Sequence, residues 1–157
     1  MAVEVRFDRA LLGKDFVSQA VTVNKAVILR YCRATGITSP IHTDEKAARV
    51  AGYRGLVAPI AMYTSIVRSN LPDIKLEFGG TLLFGGSSIE ALAPVCAGDV
   101  VKATTHLKEV YTKTGRSGTM VFIVWEASLT NERGERVGVA QQSYVKRGDP
   151  KRGRSGQ

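Results

Sequence analysis

The chemistry that this sequence could perform depends first on His42. The residue lies in the stretch SPIHTDEKAARVAGYRGLVAP, residues 39–59, with Pro40 before it and Asp44 after it. Imidazole takes up and releases protons near neutral pH, so a histidine held rigidly beside a helix start can serve as a general acid or base. On local sequence alone, an ordinary turn histidine is the simpler interpretation.

The other candidates for chemistry are weaker. His106, the second histidine, lies on the polar side of an alternating segment and is interpreted as a solvated strand residue. Lys113 and Arg116 belong to TKTGRSG, residues 112–118, which is predicted to be a loop between strands. Their cations could meet phosphates, although a solvated hairpin tip is the simpler interpretation.

Composition indicates an ordinary soluble domain. The chain has 157 residues, of which 44% are hydrophobic and 23% charged, enough for one domain with a core of its own. Its N-terminus is charged throughout and no apolar run reaches membrane-spanning length, so we expect neither a signal peptide nor a membrane span. Cys32 and Cys96 lack metal-ligand spacing. We therefore expect a cytoplasmic protein without a metal or cofactor.

The net charge of +8 is concentrated at the C-terminus, where five basic residues and one acidic residue follow position 145. That segment is rich in glycine and has little to bury. The chain is therefore predicted to consist of a domain at residues 1–147 and a basic, disordered tail at residues 148–157. The remaining charge would suit a ligand that carries phosphates. Nucleic acid is not an expected partner, because no basic face with interleaved aromatics is evident.

The first half of the chain is predicted to supply one strand and three helical pieces. The strand covers residues 15–23, and the first helix runs from its N-cap Asn24 to Thr35, where Gly36 ends it. Thr43 is predicted to cap a short second helix. Residues 56–69, LVAPIAMYTSIVRS, are apolar nearly all round, which indicates a helix buried inside the fold.

The second half changes to the period of strands. Short turns separate four predicted strands, and the most compact arrangement is an antiparallel sheet wrapped around the one central apolar helix. This is the α+β hot-dog fold, whose open sheet usually dimerises edge to edge. The predicted strands are residues 81–92, 99–111, 119–130 and 135–146.

Three stretches carry a resemblance to a known family. YCRATGITSPIHTDEKAARVAGYRGLVAP (residues 31–59) resembles the signature Y-x-x-x-[ST]-G-D-x-N-P-[IL]-H-x-D of MaoC-like dehydratases. APVCAGDVV (residues 93–101) resembles their R-P-V-x-x-G-D-x-[LV] segment. Residues 115–137 are similar to a subgroup, the N-terminal halves of double hot-dog dehydratases and the non-catalytic subunits of mycobacterial acyl-carrier dehydratases. The resemblance covers residues 14–147.

The resemblance implies a hot-dog domain related to (R)-specific enoyl-thioester hydratases and 3-hydroxyacyl-thioester dehydratases, with His42 at the catalytic histidine. The family's aspartate, which acts with that histidine on water, is replaced by Ile37, and its asparagine by Ser39. Its V-H-G, whose glycine N–H would bind the thioester oxygen, ends here in Ala58 and Pro59. Proline has no N–H to donate. These four positions are expected to contact substrate.

The resemblance thus favours a hydro-lyase, or a subunit of one, that acts on thioesters of coenzyme A or acyl carrier protein. In the leading interpretation the chain has a degenerate site and shapes the acyl tunnel. A second hot-dog subunit, identical or paralogous, would bring the full Asp/His pair. One alternative is a self-sufficient homodimeric hydratase that uses His42 and another acid. A further alternative is an acyl-thioester binding protein without turnover.

Overall fold

The computed structural model of the chain describes residues 4–66 and 71–148. Its strands form one antiparallel six-stranded sheet in the order β1-β4-β5-β6-β3, with β2 pairing to β4 on the same edge as β1. In chain order the strands are β1 (Phe16–Val17), β2 (Val21–Thr22), β3 (Thr81–Ala91), β4 (Val100–Gly115), β5 (Gly118–Asn131) and β6 (Arg136–Arg147).

The strands predicted at residues 119–130 and 99–111 are confirmed as β5 and β4. β5 lies in the middle of the sheet, and its residues Ile123 and Val124 are both buried although they face opposite sides. In β4 the buried positions alternate as predicted and are Val101, Ala103, Thr105 and Leu107.

Two other strand predictions are wrong in detail. The strand predicted at residues 15–23 is two short pieces, because the Ser18 hydroxyl accepts the N–H of Ala103 at 2.9 Å and interrupts the backbone ladder. The loop predicted at residues 112–118 is only a tight turn. β4 and β5 continue through most of it because Tyr111 and Phe122 stack across the strands at 4.9 Å.

The described residues contain four short helices, α1 (Lys25–Thr35), α2 (Pro40–Thr43), α3 (Glu45–Val50) and α4 (Tyr63–Ile66). Turns of 3₁₀ helix occupy Arg9–Leu11 and Ile60–Met62. The predicted limits of α1 are confirmed. The Asn24 side chain accepts the N–H of Val27 at 2.9 Å, and Gly36 ends the helix in the left-handed conformation.

The predicted cap of the next helix is wrong by one residue. Pro40 starts a separate turn of helix, α2, which includes Thr43. The cap of α3 is Asp44, whose carboxylate accepts the N–H groups of Lys46 and Ala47 at 2.9 and 3.2 Å. A carboxylate is well placed there because the helix N-terminus carries partial positive charge.

The central apolar segment is helical over less of its length than predicted. Residues 56–58 are extended, and Val57 forms an isolated bridge with Cys96. Pro59 explains the difference, because a proline disfavours helical geometry in the residue before it. Helical structure begins at Ile60 and continues to the end of α4, and the predicted remainder, residues 67–69, lies outside the described residues.

The core consists of two clusters on the same face of the sheet. The first packs α1 and the start of the central helix against the sheet, and the second packs residues 7–16 and 71–76 against β4, β5 and β6. Tyr63 in the first cluster packs closely against Gly138, where an added Cβ would lie 3.1 Å from the ring. The predicted tail falls outside the described residues beyond Gly148.

Candidate active site

His42 lies in α2, and the fold holds both its backbone and its ring. Its N–H donates to the Ser39 carbonyl at 3.0 Å, and the turn is closed by the Asp44 N–H, which donates to the Pro40 carbonyl at 2.8 Å. The ring Nδ1 lies 2.6 Å from the carbonyl oxygen of Val57. The side chain is half-buried, so one part of the ring is anchored in protein and another remains accessible.

The contact with Val57 determines the tautomer of the neutral ring. A carbonyl oxygen can only accept a hydrogen bond, so Nδ1 of His42 carries the hydrogen and donates it. The lone pair is then on Nε2. A histidine oriented through one ring nitrogen and basic at the other is the arrangement required of a general base.

The segment that supplies the Val57 carbonyl is itself fixed from two sides. The Val57 N–H donates to the Ile41 carbonyl at 2.9 Å, and the Ala58 N–H donates to the Val95 carbonyl at 2.8 Å. Ala58 is 1% exposed. Because that N–H already has a partner and Pro59 has none, neither position offers the N–H that the family's glycine would provide.

Ile37 and Ser39 lie on the other side of His42 in sequence and provide little polarity. The Ile37 N–H donates to the Cys32 carbonyl at 3.0 Å, and its side chain packs against the first core cluster. The Cys32 thiol in turn lies 3.7 Å from the His42 carbonyl oxygen. Ser39 is exposed, and its backbone carbonyl accepts the Thr43 hydroxyl at 3.1 Å. The structure therefore links Ile37 to His42 through Cys32.

The sequence analysis missed an ion pair behind this segment, between a half-exposed arginine and a buried carboxylate. Asp99 is 3% exposed, and Arg54 donates to both of its carboxylate oxygens at 2.8 Å. The same carboxylate accepts the Cys96 N–H at 2.9 Å. Hydrogen bonding to Asp99 raises the pKa of Arg54. The G-D within residues 93–101 includes Asp99, but no local pattern connects this aspartate with an arginine 45 positions earlier.

Tyr63 fixes the start of the central helix in the same region. Its hydroxyl donates to the Ala93 carbonyl at 2.9 Å and accepts the Val95 N–H at 3.2 Å. The side chain is 1% exposed, and burial raises the pKa of its phenol. Loop 93–95 is therefore tied both to the helix and to Ala58, and the two attachments hold the Val57 carbonyl in place.

The weaker candidates lie away from this site. His106 pairs in register with Glu126 on the face of the sheet opposite the core, 3.8 Å from that carboxylate and 3.9 Å from Asp15. Lys113 is in β4, where its ammonium lies 5.3 Å from the centre of the Phe122 ring. Arg116 is exposed in the β4–β5 turn.

Within residues 4–66 and 71–148, no cluster of three or more histidine, cysteine or acidic side chains is arranged to hold a metal ion. None of the helices in those residues has the length and apolarity needed to cross a membrane.

Comparison with known proteins identifies the family and the fold of the chain. The family model for the FAS1-like dehydratase domain region matches residues 10–140. A UPF0336 protein of Clavibacter michiganensis subsp. michiganensis is 29% identical over 133 residues, covering 81% of this chain and 86% of the relative.

Two solved structures show the fold. A MaoC-like dehydratase from Rhodospirillum rubrum has a TM-score of 0.66 at 24% identity, covering 92% of this chain and 99% of that chain. The HadBC (3R-hydroxyacyl-ACP dehydratase) complex from Mycobacterium tuberculosis has a TM-score of 0.64 at 21% identity, covering 84% of this chain and 96% of that chain.

The predicted hot-dog fold and the relationship to MaoC-like dehydratases are thereby confirmed. The chain belongs to the FAS1-like dehydratase domain region family, because the model for that family matches most of its length.

Proposed function

We propose that this chain is one subunit of an enoyl-thioester hydratase or 3-hydroxyacyl-thioester dehydratase, and that a second hot-dog chain supplies the complete catalytic pair. The observation that carries the proposal is the composition of the His42 site. The ring of His42 is oriented by the Val57 carbonyl. Ile37 has a hydrocarbon side chain where the family has an aspartate, and Pro59 has no backbone N–H.

Reversible hydration of an enoyl thioester explains why these absences matter. A base removes a proton from water as the oxygen adds to the β-carbon, an acid delivers a proton to the α-carbon, and an N–H donor stabilises the thioester oxygen as negative charge develops. His42 can perform the first step. A placed acid is worth roughly 10²–10⁴-fold and one oxyanion donor roughly 10²–10³-fold in rate. A site without both would be a weak hydratase.

The edge strand β3 supports the requirement for a partner. It is 11 residues long, and no charged residue occurs among residues 81–89. Leu82, Leu83 and Phe84 are 54%, 52% and 61% exposed. Natural proteins protect free edges with charge, proline, short strands or bulges, and over this stretch β3 has one register shift, between Phe84 and Gly86, but no charge and no proline. We infer that β3 pairs with the corresponding strand of another hot-dog subunit, and the existence of a two-component complex, HadBC, among the structural neighbours supports a paired arrangement.

The substrate class follows from the same family relationship. We propose an acyl thioester of coenzyme A or acyl carrier protein, both of which carry phosphate. The basic character of the chain supports an anionic carrier, since positive charge raises the rate of encounter with phosphates.

A turnover assay tests the proposal. The purified chain is assayed with crotonyl and longer enoyl thioesters, first alone and then with any hot-dog protein that co-purifies with it. We expect little or no hydration by the chain alone and rapid hydration by the complex. Rapid turnover by the chain alone would contradict the proposal.

A second candidate is a self-sufficient homodimeric hydratase, which the orientation of His42 specifically favours because Nε2 is left basic. The same assay separates the two functions: the homodimeric enzyme is active alone and loses its activity on His42→Ala. A binding protein without turnover would remain inactive with every partner while still binding acyl thioesters.

A further inference from the structure

A cavity of about 560 Å³ lies between α1, β2 and the start of the central helix. Its size is that of a small-molecule pocket. The described residues that line it do not include His42 or the four positions expected to contact substrate, so it is distinct from the candidate active site. Half of the described lining residues are apolar and without a ring, and they are Val21, Val23, Val27, Ala34 and Met62; Thr22, Asn24 and Ser65 add polar groups.

The cavity exists because α1 presents two apolar faces rather than one. Ile28 and Cys32 point into the first core cluster and are at most 1% exposed. Val27 and Tyr31 lie on the adjacent face, where they are only half-buried and line the cavity. Val21, opposite them on β2, is 37% exposed. An apolar cleft that is left partly open in this way is the usual form of a ligand site.

Arg30 makes the cleft amphipathic. It lines the cavity one helical turn after Val27 and one turn before Ala34, on the same face of α1. Among the ion pairs of the described residues, none includes Arg30. Glu45 forms ion pairs with Lys25 of α1 at 2.6 Å and with Arg49 at 2.9 Å, so this carboxylate is already paired with two other cations.

We propose that this cleft binds the carboxylate form of a linear fatty acid, with the aliphatic chain against Val27 and Met62 and the carboxylate at Arg30. A guanidinium recognises a carboxylate through two parallel hydrogen bonds, which fixes the orientation of the ligand. No acidic side chain is present among the described lining residues to oppose the negative charge. The site goes beyond the proposed hydratase function and does not depend on it, since it requires no turnover and no residue of the His42 site.

Calorimetric titration of the full chain with decanoate, decanol and a neutral decanoyl thioester of N-acetylcysteamine tests the site. We expect decanoate to bind and the two uncharged ligands to bind more weakly by about tenfold or more, as expected for loss of a charge-assisted hydrogen bond. Arg30→Gln should weaken decanoate by a similar factor and leave decanol unchanged. Arg30→Lys should restore part of the affinity.

Two variants serve as controls. Arg33→Gln removes the same charge from the exposed side of α1, outside the lining of the cleft, and should leave decanoate binding unchanged. Ala34→Phe places a ring at the exposed rim and should block all three ligands without disturbing the core.

The proposal is overturned if decanoate does not bind. It is also overturned if the neutral thioester binds as tightly as decanoate, or if Arg30→Gln and Arg33→Gln have equal effects. Failure of the hydratase assay would leave each of these results unaffected.

Discussion

The Nδ1 atom of His42 lies 2.6 Å from the carbonyl oxygen of Val57, and the position two residues after that carbonyl is Pro59. The segment that orients the base is therefore continuous with the segment that would have to supply the oxyanion donor. This segment orients the ring of His42, but at Pro59 it has no N–H to donate to a thioester oxygen.

His42→Asn and His42→Ala separate the structural role of the ring from a chemical one. The asparagine amide can replace Nδ1–H as the donor to Val57, whereas alanine leaves that carbonyl without its partner. We expect His42→Ala to lower the free energy of unfolding by about 1 kcal/mol and His42→Asn to lower it by less. Urea unfolding monitored by circular dichroism measures both.

The same two variants should change the activity of a reconstituted complex by less than about tenfold, because a general base worth far more would have to lie in the partner. Initial rates with a crotonyl thioester check this. If the chain alone turns over rapidly and both variants abolish that turnover, His42 is the working base and the degenerate-site proposal is wrong.

Restoring the missing groups is a second test. Ile37→Asp supplies an acid, Pro59→Gly supplies an N–H, and the double variant of the isolated chain should hydrate crotonyl thioester faster than either single variant. The expected gain is roughly 10²-fold or more, limited by the cost of introducing a charge beside the first core cluster. The double variant with Ile37→Asn is the control, since an amide cannot transfer the proton. Equal rates for the Asp and Asn variants would show that position 37 is not a catalytic position.

The sequence predicted the fold because most of its elements depend on short-range patterns. Alternation defined β4, apolar continuity defined β5, and Asn24 and Gly36 defined the limits of α1. The errors occurred where distant or competing contacts decide the local structure. The Ser18 hydroxyl breaks the first strand through a contact 85 residues away, and Pro59 delays the central helix.

Site chemistry was predictable only in part for the same reason. The motif marked His42, but nothing in the sequence indicated that its acceptor is a backbone carbonyl 15 residues later. The Arg54–Asp99 pair is equally invisible to local reasoning, since neither residue type nor spacing identifies its partner. Contacts of this kind depend on tertiary packing.

The Arg54–Asp99 pair leads to a prediction about stability. Asp99→Asn should lower the free energy of unfolding by about 2–3 kcal/mol, because it weakens hydrogen bonds to a guanidinium and to a buried N–H. Arg54→Gln should cost less, since half of the arginine is exposed and the Cys96 N–H still binds the carboxylate. Arg133→Gln is the control: its nitrogen is 3.6 Å from Asp99, and the expected loss is below about 1 kcal/mol. Equal losses for the two arginine variants, measured by urea unfolding, would contradict this ranking.

The edge strand provides a prediction about assembly. The purified chain should be a dimer or a dimer of dimers at micromolar concentration, and Phe84→Lys should shift it to monomer by placing a charge on the unprotected edge. Light scattering coupled to size exclusion measures the mass. Val50→Lys is the matched control, because Val50 is a more exposed aliphatic residue at the end of α3. A monomeric unmodified chain, or equal effects of the two variants, would remove β3 as the partner surface.

Tyr63 leads to a prediction about alkaline stability. Tyr63→Phe removes the hydroxyl that joins the central helix to loop 93–95 and leaves the Ala93 carbonyl and the Val95 N–H without that partner. The expected loss near neutral pH is about 1–2 kcal/mol. Burial raises the pKa of Tyr63 in the folded state above its unfolded value of about 10, so the neutral phenol is the form that the fold favours.

The sign of the pH effect follows from that difference. The stabilising contribution of the Tyr63 phenol is fully present below the unfolded pKa and is lost as the pH rises through the folded pKa. The unmodified chain should therefore lose stability above about pH 10 more steeply than Tyr63→Phe, and the gap between the two should narrow. Urea midpoints measured across this range check the prediction, and the other titrating groups cancel because both proteins contain them. Parallel pH profiles would show that the phenol ionises as readily in the folded chain as in the unfolded one, and would place its hydroxyl in contact with water rather than in the core.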